Sequence, residues 1–165
     1  VVAAYDFGRF RRLVDVGGGT GILLDAVRAA TPGLDGVLFD RPEVVERGPA
    51  DLDRIGGDFF TSVPSGGDGY LLSRVLHDWA DAEALRILRA CRAAMPVGTP
   101  LLVVEAVLPV KAREAPAVVR MDATMLLLAT GRERTEREFA ELFDAAGFSL
   151  VRTVPAGGVV VLEAV

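Results

Sequence analysis

A short apolar run, Leu13-Val14-Asp15-Val16, stops at Gly17-Gly18-Gly19-Thr20-Gly21, and a helix-forming stretch from Ile22 to Ala30 begins at once. Glycines at a strand-to-helix turn let the backbone bend tightly and let a ligand come close, and the start of the helix presents unpaired N–H groups. The same alternation runs on. Gly36 to Phe39 is a second apolar run ending at Asp40, and Pro42 opens a short helix through Glu46. A brief strand centres on Ile55, and Tyr70 to Val75 reads as another. Asp81 is the expected N-cap of a helix through Met95, followed by an apolar strand from Leu101 to Leu108. Ala117 to Ala129 reads as an apolar helix. Thr135 to Glu138 has the form of a capping box, for a helix closed by Gly147. Phe148–Val154 and Val159–Val165 read as strands joined by Pro155 to Gly158, with one of them antiparallel.

Apolar runs without period-two alternation, separated by helices, predict an α/β fold with a mostly parallel sheet covered on both faces. The chain of 165 residues fits one domain. Its net charge of −5 argues against a nucleic-acid surface. No apolar run reaches the length of a membrane span. The sequence opens on Val1, as expected of a trimmed or partial chain, and no charged segment leads into an apolar one. With Cys91 as the single cysteine, no internal disulfide forms, and a cytoplasmic location is expected.

In an open parallel sheet, ligands bind beyond the carboxyl ends of the strands. The glycine loop lies at such an end. Its G-x-G-x-G spacing departs from the dinucleotide fingerprint G-x-G-x-x-G, which disfavours a nicotinamide oxidoreductase. Asp40 ends the next strand about twenty residues on, where a carboxylate can accept both hydroxyls of a ribose; the alternative is an N-cap ahead of Pro42. Asp58 follows Gly56-Gly57 and can accept from the exocyclic amine of adenine, with Phe59 against the ring.

Four segments, taken together, resemble the S-adenosylmethionine-dependent O-methyltransferases of the plant caffeate and flavonoid type and their bacterial polyketide-tailoring relatives. They are Val14-Asp15-Val16-Gly17-Gly18-Gly19-Thr20-Gly21, Gly57-Asp58-Phe59-Phe60, Leu76-His77-Asp78-Trp79 and Arg132-Glu133-Arg134-Thr135. The resemblance implies a Rossmann-like seven-stranded sheet with helices on both faces and a C-terminal antiparallel hairpin. It implies that residues 1–165 are the catalytic domain, and that an N-terminal helical dimerisation domain, absent from this chain, makes the complete protein a homodimer. It implies S-adenosylmethionine as cofactor, S-adenosylhomocysteine as product, and a small aromatic hydroxylated substrate; the sequence offers no compact Asp/Asn cluster of the hard oxygen ligands magnesium needs, beyond the acidic strand ends, so no metal is expected.

By the same resemblance the cofactor contacts Asp15, Gly17, Gly18, Gly19, Gly21, Asp40, Arg41, Gly57, Asp58, Phe59, Phe60, Ser73, Arg74 and Trp79. Ser73 stands where plant members usually carry lysine. Asp78, Met121 and Met125 fall to the substrate. His77 matches the family's catalytic base, and Glu105 and Glu133 the acidic residues that flank it.

Methyl transfer from a sulfonium is an in-line displacement in which the acceptor oxygen must shed its proton. His77 is the only histidine. A phenol near pKa ~10 and an imidazole near ~6.5 differ by about 5 kcal/mol, a gap that neighbouring carboxylates narrow by favouring imidazolium. Glu105 in an apolar run is costly unless paired. Glu133 alternatively serves only a helix dipole. Trp79 either stacks on the cofactor or fills core, and Met121 and Met125 default to core packing. Two competing readings remain: a relative that binds the cofactor without methylating, as in hydroxylation, and a non-catalytic domain.

Overall fold

The computed structural model describes residues 1–108 and 131–165. In chain order the elements are β1 (Arg12–Val16), α1 (Ile22–Ala30), β2 (Asp35–Asp40), α2 (Pro42–Val45), β3 (Asp53–Gly56), β4 (Gly69–Ser73), α3 (Asp81–Ala94), β5 (Leu101–Glu105), α4 (Glu136–Ala146), β6 (Leu150–Pro155) and β7 (Val160–Ala164). The expected Ala117–Ala129 helix, with Met121 and Met125, lies outside the described residues.

The strands form one sheet in the order β3-β2-β1-β4-β5-β7-β6. The first five run parallel, and β7 runs antiparallel to both of its neighbours. This is the expected α/β sheet with a C-terminal hairpin. The chain moves outward from β1 to β2 and β3, then returns to place β4 on the other side of β1. Where the direction of winding reverses, the loops leaving β1 and β4 splay apart and open a crevice.

The strands are apolar on both faces because both are covered. Val14, Val16, Tyr70, Leu72 and Val103 pack with Ile87, Leu88 and Cys91 of α3 and Phe139 and Phe143 of α4. Leu13, Leu71, Leu102 and Val104 face Leu24 and Val27 of α1 and the N-terminal aromatics Tyr5, Phe7 and Phe10. Each fully buried Leu, Ile or Phe side chain contributes about 1.5–3 kcal/mol. Burial pushes the Cys91 thiol up to about 12, as suits a structural thiol.

Several boundaries differ from the sequence reading, each for a local reason. β4 stops at Ser73 because Arg74 takes a left-handed conformation (φ 58°), the one positive φ outside glycine among the described residues. β5 stops at Glu105, beyond which Val107 makes an isolated bridge to Arg134. Ala80, not Asp81, occupies the N-cap of α3, and it provides no side-chain cap. The Asp81 carboxylate is instead engaged by Arg134. The capping box of Thr135 and Glu138 forms as expected, and Gly147 closes α4 in the left-handed region.

Candidate active site

The crevice between the β1 and β4 loops holds a cavity of about 820 Å³, within the size range of small-molecule sites. Gly17 forms its floor with φ 68°, and a Cβ there would meet Val75 at 2.9 Å, so only glycine lets the two loops approach this closely. Asp40 stands at one side. Its Oδ2 accepts from the Gly19 N–H at 2.8 Å and its Oδ1 from the Arg41 N–H at 2.7 Å. The N-cap of α2 is Arg41, so Asp40 fastens the glycine loop rather than capping a helix. A carboxylate has about four acceptor sites, and two remain for a ligand.

The opposite wall is aromatic. Phe60 meets Trp79 edge to face with centroids 4.7 Å apart, and Phe59 meets Trp79 at 6.1 Å. Asp58 Oδ1 accepts from the Phe60 N–H at 2.9 Å, a local turn that presents both rings.

Beyond Trp79 the wall passes into a one-turn 3-10 helix, Leu76–Asp78, that carries His77. His77 is only 5% exposed. Its Nδ1 lies 3.3 Å from Glu133 Oε1 and 4.0 Å from Glu105 Oε2, and its Nε2 lies 3.4 Å from Asp78 on the cavity side. The two glutamates act differently. Glu133 touches the ring, and in the tautomer that carries its proton on Nδ1 the imidazole donates to Glu133 and Nε2 is the acceptor. Glu105 holds the backbone: its Oε1 accepts from the N–H groups of Val75, Leu76 and His77 at 3.0, 2.9 and 3.3 Å. Both glutamates thus flank His77: Glu133 meets the ring, and Glu105 holds the turn while its Oε2 stands 4.0 Å from Nδ1. Glu133, far from serving only a helix dipole, is buried against His77.

Burial opposes the imidazolium, but the hydrogen bond to Glu133 and the charge of Glu105 outweigh it, and the His77 pKa is raised. Burial raises Glu105 to about 7, against the pull of His77 and Arg74. The guanidinium of Arg74 reaches to 4.0 Å from Glu133 and also lines the cavity. Strained backbone of this kind concentrates at functional sites.

Of the residues assigned to a cofactor from sequence, Gly17, Asp40, Arg41, Gly57, Asp58, Phe59, Phe60, Arg74 and Trp79 line the cavity, as does Asp78. Asp15, Gly18, Gly19, Gly21 and Ser73 are not among its lining residues. Asp15 is buried in β1 at 1% exposure, where burial and Asp40 raise its pKa to about 7. Gly19 acts indirectly, through Asp40. Sequence reasoning missed Pro42, Glu43 and Val75 on the lining; the signal was their adjacency to Arg41 and Arg74. His77, Glu105 and Glu133 also offer donor atoms within 4.8 Å of one another.

The sequence matches the O-methyltransferase domain over residues 1–149. It is 45% identical over 175 residues to phenazine O-methyltransferase PhzM of Lysobacter antibioticus, covering 99% of this chain and 51% of that protein. It is 46% identical over 164 residues to the O-demethylpuromycin-O-methyltransferase of Streptomyces alboniger, covering 92% and 44% respectively. The structure superposes with TM-score 0.89 and 35% identity on an O-methyltransferase from neocarzinostatin biosynthesis, solved with S-adenosylmethionine and 2-hydroxy-5-methyl naphthoic acid. That match covers 99% of this chain and 51% of the other. The chain belongs to the O-methyltransferase domain family, and it spans about half the length of the curated relatives it matches.

Proposed function

We propose that the protein transfers a methyl group from S-adenosylmethionine to a hydroxyl oxygen of a small aromatic metabolite. One observation carries the reading: His77, its Nδ1 held by Glu133, sits in the turn between the lining residues Val75 and Asp78 of a glycine-floored cavity, itself just behind that lining, and the cavity's Asp40 keeps acceptor capacity in reserve. The residues present fit the cofactor. Asp40 takes the ribose hydroxyls, Asp58 the adenine amine, and Phe59, Phe60 and Trp79 supply the apolar wall. The relatives named above and the neighbour's bound ligands support the same chemistry.

When bound, the cofactor supplies an electrophilic methyl group and a positive sulfur that favours the phenolate. Every other requirement falls to the chain. The cavity wall and the His77 turn hold the acceptor oxygen in line. His77 Nε2 would take the hydroxyl proton as the oxygen–carbon bond forms and the methyl carbon–sulfur bond breaks with its electron pair left on sulfur, and Glu133 keeps Nδ1–H in place and stabilises the imidazolium. No metal enters this scheme. We read residues 1–165 as the catalytic domain of a homodimer joined through a helical domain outside this chain, working in the cytoplasm. Among the described residues no helix is long and apolar enough to cross a membrane.

The test is methyl transfer by the complete protein to hydroxylated aromatic acceptors, beside calorimetric binding of S-adenosylhomocysteine. His77→Ala is expected to leave that binding unchanged and to cut turnover by ~10²–10⁴-fold. Unaltered turnover removes His77 from the mechanism. Absent binding overturns the cofactor assignment, and binding without turnover on any acceptor favours the non-methylating readings.

A further inference from the structure

Arg134 is fully buried. Arginine is almost never so placed without partners, since removing its charge from water is costly. Its partners explain it. Nη1 donates to the Leu76 carbonyl at 2.8 Å, and Nη2 donates to the Trp79 carbonyl at 2.8 Å. Nε and Nη2 both reach Asp81 Oδ1, at 3.0 and 2.8 Å. The two carbonyls bracket the residues that carry the base and the aromatic wall.

The opposite end of the same turn is held by Glu105, which accepts from three successive N–H groups. A single 3-10 turn cannot satisfy its own terminal groups. Here a buried carboxylate takes the N–H end, and a buried guanidinium takes the Trp79 carbonyl just past the other end together with the Leu76 carbonyl, which also accepts from the Trp79 N–H.

The chain brings Arg134 to this position by close backbone contact. Its carbonyl accepts from the Leu108 N–H at 2.9 Å, which fixes it beside the end of β5. Three residues earlier, a Cβ on Gly131 would collide with the His77 carbonyl and with the Asp78 backbone. The segment from Gly131 to Arg134 therefore lies directly along the turn, and Glu133 reaches His77 from it.

We propose that Arg134 is a positioning residue for methyl transfer: by gripping the Leu76 and Trp79 carbonyls it fixes the His77 imidazole relative to the aromatic wall of the cofactor cavity. The proposal rests on the reading of His77 as base. Arg134 is fully buried, is not among the residues that line the cavity, and acts through the turn. Loosening the turn separates His77 Nδ1 from Glu133, the contact that favours the imidazolium. The other charged groups facing His77 are Glu105, Arg74 and Asp78. They stay in the variants below.

The experiment compares Arg134→Lys, Arg134→Gln and Asp81→Asn with the unaltered complete protein. Asp81→Asn spares the guanidinium and guards against a variant that fails to fold. Thermal melting, S-adenosylhomocysteine affinity, kcat, KM and the pH dependence of kcat/KM are measured on each. Arg134→Gln is expected to lose at least about tenfold in kcat, with KM for the acceptor little changed. Its acid limb is expected to move to lower pH, because His77 loses the neighbour that raises its pKa. Arg134→Lys, which supplies a cation without the planar fork, should recover part of the rate, and Asp81→Asn should fall between it and the unaltered protein. If any folded Arg134 variant, or Asp81→Asn should both Arg134 variants fail to fold, keeps both kcat and the acid limb, Arg134 is structural and the proposal is overturned. If the unaltered protein neither binds S-adenosylhomocysteine nor turns over, the function itself is wrong, which is a distinct result.

Discussion

Glu105 and Glu163 stand on adjacent antiparallel strands, and both are buried. Their surroundings differ. Glu163 accepts from the Tyr5 hydroxyl at 2.8 Å, from Arg9 at 2.9 Å and from Arg152 at 2.8 Å. Burial works to raise its pKa, but Tyr5, Arg152 and Arg9 outweigh that, and it is lowered. Glu105 has backbone N–H groups on one oxygen, while its Oε2 makes no hydrogen bond and faces His77 at 4.0 Å. Its pKa is raised to about 7. Cations hold a carboxylate ionised and make it a fastener, here tying the N-terminal segment to the C-terminal hairpin. Backbone dipoles hold it in place and leave its charge responsive to a neighbouring base.

The sharpest way to break this contrast is at Glu105. Glu105→Ala leaves three buried N–H groups without an acceptor, at about 1–3 kcal/mol each. We expect a loss of at least about 3 kcal/mol by denaturant titration and a turnover loss of ~10²-fold or more. Glu105→Gln retains the acceptor oxygen and should recover most of the stability. It removes the charge that favours imidazolium, so the acid limb of kcat/KM should shift to lower pH. An unshifted limb in the glutamine variant would mean that Glu105 serves His77 only as a clamp.

The two halves of the site were unequally legible in the sequence. The glycine loop, Asp40 and the Asp58-Phe59-Phe60 turn are local: each ends a strand and acts within a few residues of it. Glu105 drew notice because a carboxylate in an apolar run is expensive. Its task did not, because its partners lie 28 to 30 residues away. Glu133 meets His77 across 56 residues, and Arg134 meets Leu76 across 58. Neither separation has a local pattern. Asp81 was misread because an aspartate before an apolar helix serves equally as cap or counter-ion, and only the arrival of Arg134 decides between them. Asp15 belongs to a motif read as cofactor contact, yet the pleat of β1 turns it into the interior.

Asp15 extends the comparison to a carboxyl with neither compensation. Its Oδ1 is buried without a hydrogen-bond partner, and its pKa lies near about 7 through burial and the charge of Asp40. A folded-state pKa above the ordinary 3.8 means that the folded chain retains a proton the unfolded chain has released. Stability therefore falls as pH rises from ~4 to ~7, and His77 and Glu105, whose pKa values are also raised, act in the same sense. Asp15→Asn should remove roughly 3 kcal/mol of the decline between pH 5 and pH 8. Denaturant midpoints at the two pH values check it, and an undiminished slope would show that the carboxyl is ionised in the fold.

The smallest effect is expected at Glu163, whose partners Arg9 and Arg152 are themselves 42% and 49% exposed at the side chain. Exposed pairs are screened and contribute ~0–1 kcal/mol, and Gln at this position keeps an acceptor for the Tyr5 hydroxyl. Glu163→Gln should cost about 1 kcal/mol at neutral pH. Since a lowered pKa stabilises only above the unfolded value and is lost as pH falls through the folded one, the difference from the unaltered protein should shrink toward pH 3. Turnover and the acid limb should stay in place, because the Glu163 side chain bonds only to Tyr5, Arg9 and Arg152 among the described residues, and none of these touches the His77 turn. A variant that melted normally yet turned over slowly would reverse this expectation. It would mean that docking of the N-terminal segment, and not merely its anchorage, reaches the active site through β7 and β5.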